Sequence, residues 1–474
     1  MGRFRPPTPT QVIAAAFGVL FAAMIVYLCR YAYVNRQVMM SNSYNSRQKI
    51  LLEQNTRGDI LAASGEVLAT TEKKEDGSEE RVYPYGNLFS HAVGYSAKGM
   101  GGVEAAANYY LIRSDIPLSK KAELMDKGEK YPGNTVITTL DRNLQETAYQ
   151  ALSAYRGAIV VTDVRTGAIL AMVSKPDFDP NEINALWPQL TADKEDSRLL
   201  NRVSQGLYPP GSTFKIVTAL EYIRENPADY GKYSFNCSGS YTAEGLTIHC
   251  FHGESHGRVD FYTSLQKSCN SSFANIGMLL DRGAFAKTLK TLYFGEELPV
   301  DFPCGTSRTA LSASSGASEV MQLSIGQGAT SISPLHLNMI TQSIASGGEM
   351  YKPYIIDRIV SADDKVLVSN EKEKLRRVMS AEEAQILTEM MTTVVNGGTA
   401  RRLQGLSYQA AGKTGSAEYN SVEKTESHAW FTGFAPADDP QIAVTVIIEQ
   451  AGSGGEYAVP MAKRVFDTYF EAED

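Results

Sequence analysis

The sequence predicts an α/β protein, with a largely antiparallel sheet flanked by helices, preceded by a small α+β module and one N-terminal transmembrane helix. Three observations carry this reading. Hairpin patterns lie far apart in the chain, at residues 157–173 and 429–448, with helical patterns between them; strands at both ends of a segment with helices inserted between them imply one sheet covered by those helices. Val12 to Cys29 is a run of eighteen uncharged, mostly apolar residues, long enough with its flanking turn to span a bilayer. From about residue 40 to 145, short strand and helix signals alternate without any nucleophile that has partners.

A chain of 474 residues suggests two or three domains with ample material for a packed core. At 43% hydrophobic and 21% charged it is globular rather than disordered. The net charge of −8 and the lack of a Lys/Arg stripe argue against a nucleic-acid partner. The apolar run is long for a cleaved signal peptide, and no small-x-small site precedes Asn35. Bulky Tyr27 and Leu28 also exclude a lipoprotein site at Cys29. Arg3 and Arg5 are nearly balanced by Arg30 and Arg36, so the flanking charges orient the span weakly. A single span before a large C-terminal portion points to an external domain. The expected division is a cytoplasmic tail at 1–10, a transmembrane signal anchor at 11–34, a pedestal domain at 35–145, and the main domain at 146–474.

Taken in order, the polar stretch Asn35 to Leu52 has a weak helical pattern, and residues 57–69 read as a hairpin around Ser64-Gly65. The charged segment Glu72 to Arg81 reads as an exposed loop, and Val103 to Leu111 as a helix. Asp141 is the expected N-cap of a helix running towards Tyr155. Residues 157–173 then form a hairpin through Asp163-to-Gly167 turn chemistry. Helices are expected after Ser212, over Asp260 to Leu280, and over Ala381 to Val395, the last with a Ser380/Glu383 capping box and Gly397-Gly398 at its end. The terminal hairpins must share a sheet with the strand carrying Lys413, because none has enough apolar surface to stand alone. Tyr457 to Phe470 closes the chain as an apolar-striped helix.

The chemistry centres on Tyr208-Pro-Pro-Gly-Ser-Thr-Phe-Lys215. Two prolines and a glycine forbid regular structure before Ser212, and the apolar spacing that follows places it at a helix N-terminus with Lys215 one turn on. There, unpaired N–H groups favour an oxyanion, and the amine can take the serine proton. Ser-x-x-Lys alone is weak: about two copies would arise by chance, and Ser46/Lys49, Ser264/Lys267, Ser369/Lys372 and Ser421/Lys424 also fit. Company strengthens it. Ser268-Cys-Asn270 follows 56 residues on, and Lys413-Thr-Gly415 follows 201 residues on, in an order shared with penicillin-recognising serine acyltransferases.

Of five cysteines, one lies in the span, leaving Cys237, Cys250, Cys269 and Cys304. Three readings stay open: a Cys237–Cys250 disulfide, free thiols, or a metal held among His249, Cys250, His252, His256 and Cys269, whose spacing matches no standard zinc finger.

With these motifs in hand, the chain resembles a class B penicillin-binding protein, a monofunctional peptidoglycan D,D-transpeptidase. The resemblance extends over nearly the whole chain. It includes Arg57-Gly58 with Gly65, Thr166 to Ala171, Asp177 to Asn181, Gly326-Gln-Gly328 with Pro334-Leu335, Gly398-Thr-Ala400, and Trp430 to Pro436. The pedestal departs from the family pattern at Leu61-Ala-Ala-Ser-Gly65. The resemblance implies a penicillin-binding serine transpeptidase domain, with no glycosyltransferase domain before the pedestal and no repeat module after Asp474. It also implies a Ser212 acyl-enzyme formed at the carbonyl between the terminal D-alanines of a stem peptide. In that scheme Lys215 is the base, and its pKa must fall from about 10.4 to near 7, about 4 kcal/mol, through burial and the charge of Lys413. Ser268 passes a proton to the departing D-alanine, and Asn270 holds the substrate amide and Lys215 in register. Lys413, Thr414 and Ser416 bind the terminal carboxylate, Gly415 lets the substrate lie against the strand, and the N–H groups of Ser212 and Ser416 form the oxyanion hole. Cys269 is expected to be packing, and His336 and His428 structural.

The resemblance further implies stem peptides and β-lactams as ligands, a polytopic SEDS-type glycosyltransferase in the membrane as partner, and no cofactor or metal. The expected location is the bacterial cytoplasmic membrane, single-pass, with the catalytic domain outside. A class A β-lactamase would need a deacylating glutamate motif that Glu296-Glu-Leu-Pro does not supply. A class D site would need Tyr-Gly-Asn after the nucleophile, whereas Tyr85-Gly-Asn87 lies upstream. A D,D-carboxypeptidase would normally carry its anchor at the C-terminus. The alternative of a different kind is a β-lactam sensor or a non-catalytic scaffold of a wall-building complex.

Overall fold

The apolar run becomes one helix, Pro9–Val34, long and apolar enough to cross a membrane and with no buried residue. This computed structural model describes residues 8–34, 46–192, 197–418 and 427–471. Arg3, Arg5 and Arg36, the first part of the 35–52 stretch and the Ser421/Lys424 pair lie outside the described residues.

The expected shared sheet forms. Five strands run antiparallel in the order Ala411–Glu418, Ser427–Ala435, Ile442–Ile448, Gly157–Asp163, Ile169–Lys175. Its central strands are almost wholly buried and rich in β-branched or aromatic residues, as a sheet covered on both faces requires. Helix Pro334–Ala345 packs on one side of this sheet, while Arg142–Leu152 and Ala458–Glu471 pack together against it. The caps behave as the sequence predicts. Asp141 accepts from the Leu144 N–H at 2.8 Å, and Ser380 and Glu383 form both bonds of a capping box at the start of Ala381–Gly397.

The pedestal sheet has six strands, in the order Val366–Ser369, Ile356–Val360, Thr135–Thr138, Ile60–Leu61, Val67–Lys73, Glu79–Val82. The hairpin around Ser64-Gly65 is present, with Gly65 at φ +97°. Two expectations need correction here. The charged segment at 72–81 is not a loop but a second hairpin: its charges from Glu72 to Glu80 are exposed on an edge strand pair, where Lys74 meets Glu80 at 2.9 Å, and only 74–78 turns. The expected 103–111 helix is two short helices, Gly102–Ala106 and Asn108–Leu111, parted at Ala107. The first starts where Gly94 and Gly102 approach backbone so closely that a Cβ on either would clash.

This short helix carries Glu104 into the pedestal, where its side chain is fully buried between Arg57 and Arg81. Arg57 Nε donates to Glu104 Oε2 at 2.7 Å, and Arg81 Nε to Oε1 at 2.7 Å. Arg57 Nη1 also reaches Asn108 Oδ1 at 2.6 Å. Burial works to raise the Glu104 pKa, but the two guanidinium charges and their hydrogen bonds outweigh it and hold the carboxyl below its usual value. Removing one member of such a buried set leaves uncompensated charge. Glu104→Ala is therefore expected to cost about 3–5 kcal/mol in urea unfolding, whereas Glu371→Ala on the surface should stay within about 0.5 kcal/mol. Because the folded pKa is depressed, the Glu104 contribution is present above the ordinary carboxylate pKa and is lost as pH falls through the folded value. The difference between wild type and Glu104→Ala should accordingly shrink in acid.

Candidate active site

Ser212 sits in a 3₁₀ turn, Gly211–Phe214, that runs directly into helix Lys215–Glu225. The turn is fixed from three sides. Gly211 has φ +54° and donates its N–H to Gly326 O at 2.9 Å, and a Cβ on Gly326 would lie 2.1 Å from Gly211 O. Trp430 Nε1 donates to Pro209 O at 3.0 Å. Tyr208, where the loop begins, donates its hydroxyl to Glu449 at 2.8 Å, and Glu449 also accepts from Arg202 at 2.7 Å.

The second motif departs from its expected setting. The single helix predicted over Asp260 to Leu280 is broken into Phe261–Gln266 and Asn270–Leu279. Ser268 occupies the break at φ +55°, and Cys269 becomes the N-cap of the following helix, its sulfur accepting the Ser272 N–H. The break turns Ser268 and Asn270 to the same point. Lys215 Nζ lies 2.6 Å from Ser268 O, 2.7 Å from Asn270 Oδ1, 3.0 Å from Ser212 Oγ and 3.2 Å from Ser268 Oγ. Asn270 is itself held, its Nδ2 donating to His249 O at 2.9 Å.

The third motif lies on the edge strand Ala411–Glu418. Lys413 Nζ donates to Ser268 Oγ and to Thr414 O, each at 2.9 Å. Thr414 Oγ1 meets Thr399 Oγ1 at 2.5 Å, and Ser416 Oγ accepts from Gly454 N at 3.4 Å. A Cβ on Gly415 would lie 3.0 Å from Pro210 O and 3.1 Å from Trp430 Cβ, so any side chain there would crowd the approach of the strand to the nucleophile turn. All eight predicted site residues are thus assembled at one place. Ser212, Ser268, Asn270, Thr414 and Ser416 line a cleft of about 900 Å³.

Both lysines are fully buried. Burial brings Lys215 down to about 7, opposed by the thiols of Cys269 and Cys250. Burial lowers Lys413 well below its usual value, and the positive charge of Lys215 lowers it further. Of the two causes expected for Lys215, burial is the larger, and the two amines share one buried space in which their like charges oppose each other.

Sequence reasoning missed the supporting residues Thr399, Gly454 and Glu449 as members of the site. Thr399 was legible only as part of Gly398-Thr-Ala400, and nothing in the sequence singles out Glu449. His336 is buried, with Nε2 against Leu292 O at 2.5 Å and a pKa lowered to about 4 by burial. His428 is buried beside Tyr208 and accepts the Gln450 N–H at 3.1 Å. The thiols of Cys237, Cys250 and Cys269 meet behind the second motif with His256, unbonded to one another; of the five metal ligands weighed from the sequence, Cys250, His256 and Cys269 converge, while His249 and His252 stay outside the cluster.

With this geometry in view, comparison with known proteins is direct. The family model described as the penicillin binding protein transpeptidase domain matches residues 157–467, and that of the penicillin binding protein A dimerisation domain matches residues 57–136. Peptidoglycan D,D-transpeptidase MrdA of Acinetobacter baumannii is 31% identical, over 82% of this chain and 65% of its own length. Peptidoglycan D,D-transpeptidase PbpA of Mycolicibacterium smegmatis is 29% identical, over 88% of this chain and 90% of its own. Among solved structures, the penicillin G acyl-enzyme complex of penicillin-binding protein A from Mycobacterium tuberculosis matches with a TM-score of 0.80 at 25% identity, covering 88% of this chain and 100% of that one. The D,D-transpeptidase domain of a peptidoglycan glycosyltransferase from Eggerthella lenta matches at 0.79 and 29%, covering 89% and 99%. A pedestal with a dimerisation-domain match, followed by a sheet and three motifs meeting at one cleft, is the class B arrangement: this chain belongs to the penicillin-binding protein transpeptidase family.

Proposed function

We propose that this chain is a membrane-anchored peptidoglycan D,D-transpeptidase that cross-links stem peptides through a Ser212 acyl-enzyme and is acylated there by β-lactams. The observation that carries the reading is the setting of Lys215 Nζ. Its two closest partners, Ser268 O and Asn270 Oδ1, can only accept. A neutral amine has two N–H groups for these and one lone pair left over, and Ser212 Oγ lies 3.0 Å away to fill it. A buried amine near pKa 7 holds that neutral form at physiological pH.

In the proposed reaction the Ser212 proton passes to Lys215 as Oγ attacks the carbonyl between the two D-alanines. The developing oxyanion is taken by the N–H groups of Ser212 and Ser416. When the C–N bond breaks, Ser268 supplies the proton to the departing D-alanine and recovers one from the adjacent lysines, whose Nζ atoms lie 3.2 and 2.9 Å from its Oγ. An acceptor amine then attacks the ester and Ser212 regains its proton. Lys413, Thr414 and Ser416 hold the terminal carboxylate, and the negative charge of that group relieves the cost of keeping two buried amines side by side. Because Ala411–Glu418 is an edge strand, the stem peptide can lie along it as an added strand.

In this reading residues 11–34 anchor the chain in the cytoplasmic membrane behind a short cytoplasmic tail at 1–10. Residues 35–145 form the pedestal and 146–474 the transpeptidase domain, outside the membrane. Anchor and pedestal meet a SEDS-type glycosyltransferase. A β-lactam sensor would also be acylated but would not cross-link.

Intact-protein mass spectrometry with benzylpenicillin is expected to give a long-lived adduct on the wild type and none on Ser212→Ala of unchanged melting temperature; a short-lived adduct with hydrolysed drug would instead mean a β-lactamase. Cross-linking of lipid-linked glycan strands separates transpeptidase from sensor. The acylation rate should also depend on pH in one direction. The reactive form of Lys215 is deprotonated, so the rate should rise about tenfold per pH unit below about 7 and level off above it. A profile flat across that value would remove Lys215 from the role of base.

A further inference from the structure

The cleft that holds Ser212 continues beyond the third motif. Past Thr414 it reaches Thr399, whose hydroxyl meets that of Thr414 at 2.5 Å, and there it opens into a second basin of about 490 Å³. Thr399, Lys267 and Ser453 border both spaces, whereas Arg401, Arg402 and Glu456 border the basin. Its walls are tied together. A Cβ on Gly398 would lie 2.4 Å from Gln266 O, and one on Gly455 would lie 2.5 Å from Thr399 O. Gln266 Nε2 also donates to Thr393 O at 3.2 Å. Ala400 and Leu403 are buried and seat the short turn Arg401–Leu403, which leaves both arginines exposed. Arg402 is braced by donation from Nη1 to Glu456 O at 2.7 Å. The basin is thus a preformed space, and its cations Lys267, Arg401 and Arg402 outnumber its acids Glu254 and Glu456.

Its position acquires a chemical meaning under the proposed reaction, on which this inference rests. With the terminal carboxylate at Lys413, Thr414 and Ser416, D-alanine leaves the Ser212 ester on the side of Thr414 and Thr399. Cross-link formation is the same step run backwards with a different amine, so the incoming amine attacks along the line of departure. The C–N bond forms as the ester C–O bond breaks, and one proton passes from the amine through Ser268 and Lys215 to Ser212 Oγ. Nothing is oxidised and no co-reactant is needed. The acceptor therefore enters from this side, and the peptide that carries its amine needs room beyond the space D-alanine filled. The donor stem has no use for that room, because its chain ends at the carboxylate.

We infer that this basin is the subsite for the acceptor stem peptide, and that Arg401 and Arg402 hold its carboxylates. A second stem brings at least its own terminal carboxylate along with the attacking amine. A guanidinium fork pairs with a carboxylate through two parallel hydrogen bonds, and a surplus of positive charge in a cleft draws an anionic ligand in. The two arginines border the basin rather than the cleft where the acyl-enzyme forms. They therefore determine which amine receives the acyl group and leave the acylation of Ser212 to the three motifs.

The test offers the full chain in detergent, acylated by a small D-alanyl thioester, two acceptors in separate reactions. Free D-alanine fits the space its own leaving group vacated, whereas a stem tetrapeptide ending in D-alanine, with its amine on the third residue, also needs the basin. The ratio of tetrapeptide transfer to D-alanine transfer is expected to fall roughly ten- to hundredfold in the Arg401→Ala, Arg402→Ala double variant, as loss of hydrogen bonds to charged groups does. The fall should lie in the KM for the tetrapeptide, and the Arg401→Lys, Arg402→Lys variant should recover part of it, since the charge persists without the fork. An unchanged ratio overturns the subsite. So does a wild type that transfers to D-alanine and not to the tetrapeptide. A wild type that is acylated but transfers to neither amine overturns the transpeptidase reading and the subsite with it. Independently of any variant, a tetrapeptide carrying a photoreactive diazirine on its terminal residue should label residues 397–403 or 453–456 of the acylated wild type, and labelling confined to other segments overturns the subsite.

Discussion

Everything in the catalytic half depends on keeping one amine out of water. Lys215 is fully buried, and among the described residues neither it nor Lys413 has a carboxylate partner. An ammonium in such a place costs several kcal/mol of lost hydration, and the protein meets that cost by letting the proton go. The neutral form can donate only two hydrogen bonds, so its acceptors must be few and well aimed. Three chain segments distant in sequence supply them or close the space around them: the turn before helix Lys215–Glu225, the break before helix Asn270–Leu279, and the edge strand Ala411–Glu418.

Bringing these segments together explains several features that would otherwise look costly. A non-glycine residue at φ +55°, such as Ser268, is tolerated only where its surroundings over-determine it. Here its carbonyl and hydroxyl both meet Lys215, and its hydroxyl also meets Lys413. The glycines at 211, 326 and 415 serve close approach, since a Cβ at any of them would press on the backbone of a neighbouring segment. The sheet's central strands, buried on both faces, give these approaches a rigid floor.

The sequence carried this site unusually far because the three motifs hold both the chemistry and its supports. Proline, glycine and apolar spacing together locate the Ser212 turn, and the long strands and capped helices emerge from their periodicity. What escaped it is non-local. Residues 260–280 read as one helix because Lys267-Ser268-Cys269 is short, and only contacts with Lys215 and the 237–256 segment give the break its value. The hairpin at 356–369 joins the pedestal sheet through Thr135–Thr138, a pairing that no local pattern announces. Glu104 was invisible as a buried ion because its partners, Arg57 and Arg81, come from strands distant in sequence.

The same non-local ties join the pedestal to the site. Asn181 exchanges two hydrogen bonds with the backbone of Tyr83, accepting from its N–H and donating to its carbonyl, and Asn87 donates to Asp177 at 2.8 Å. Gln145 reaches the backbone of Leu88 on one side and of Met172 in the catalytic sheet on the other. These bonds are buried or half-buried, where solvent competes poorly, and the pedestal and catalytic sheet share one continuous hydrophobic cluster. A hinge needs few contacts crossing it, and this junction has many. A push on the pedestal would therefore move the Ile169–Lys175 strand with it. Five antiparallel strands bonded in series join that strand to Ala411–Glu418, the far edge strand that carries Lys413.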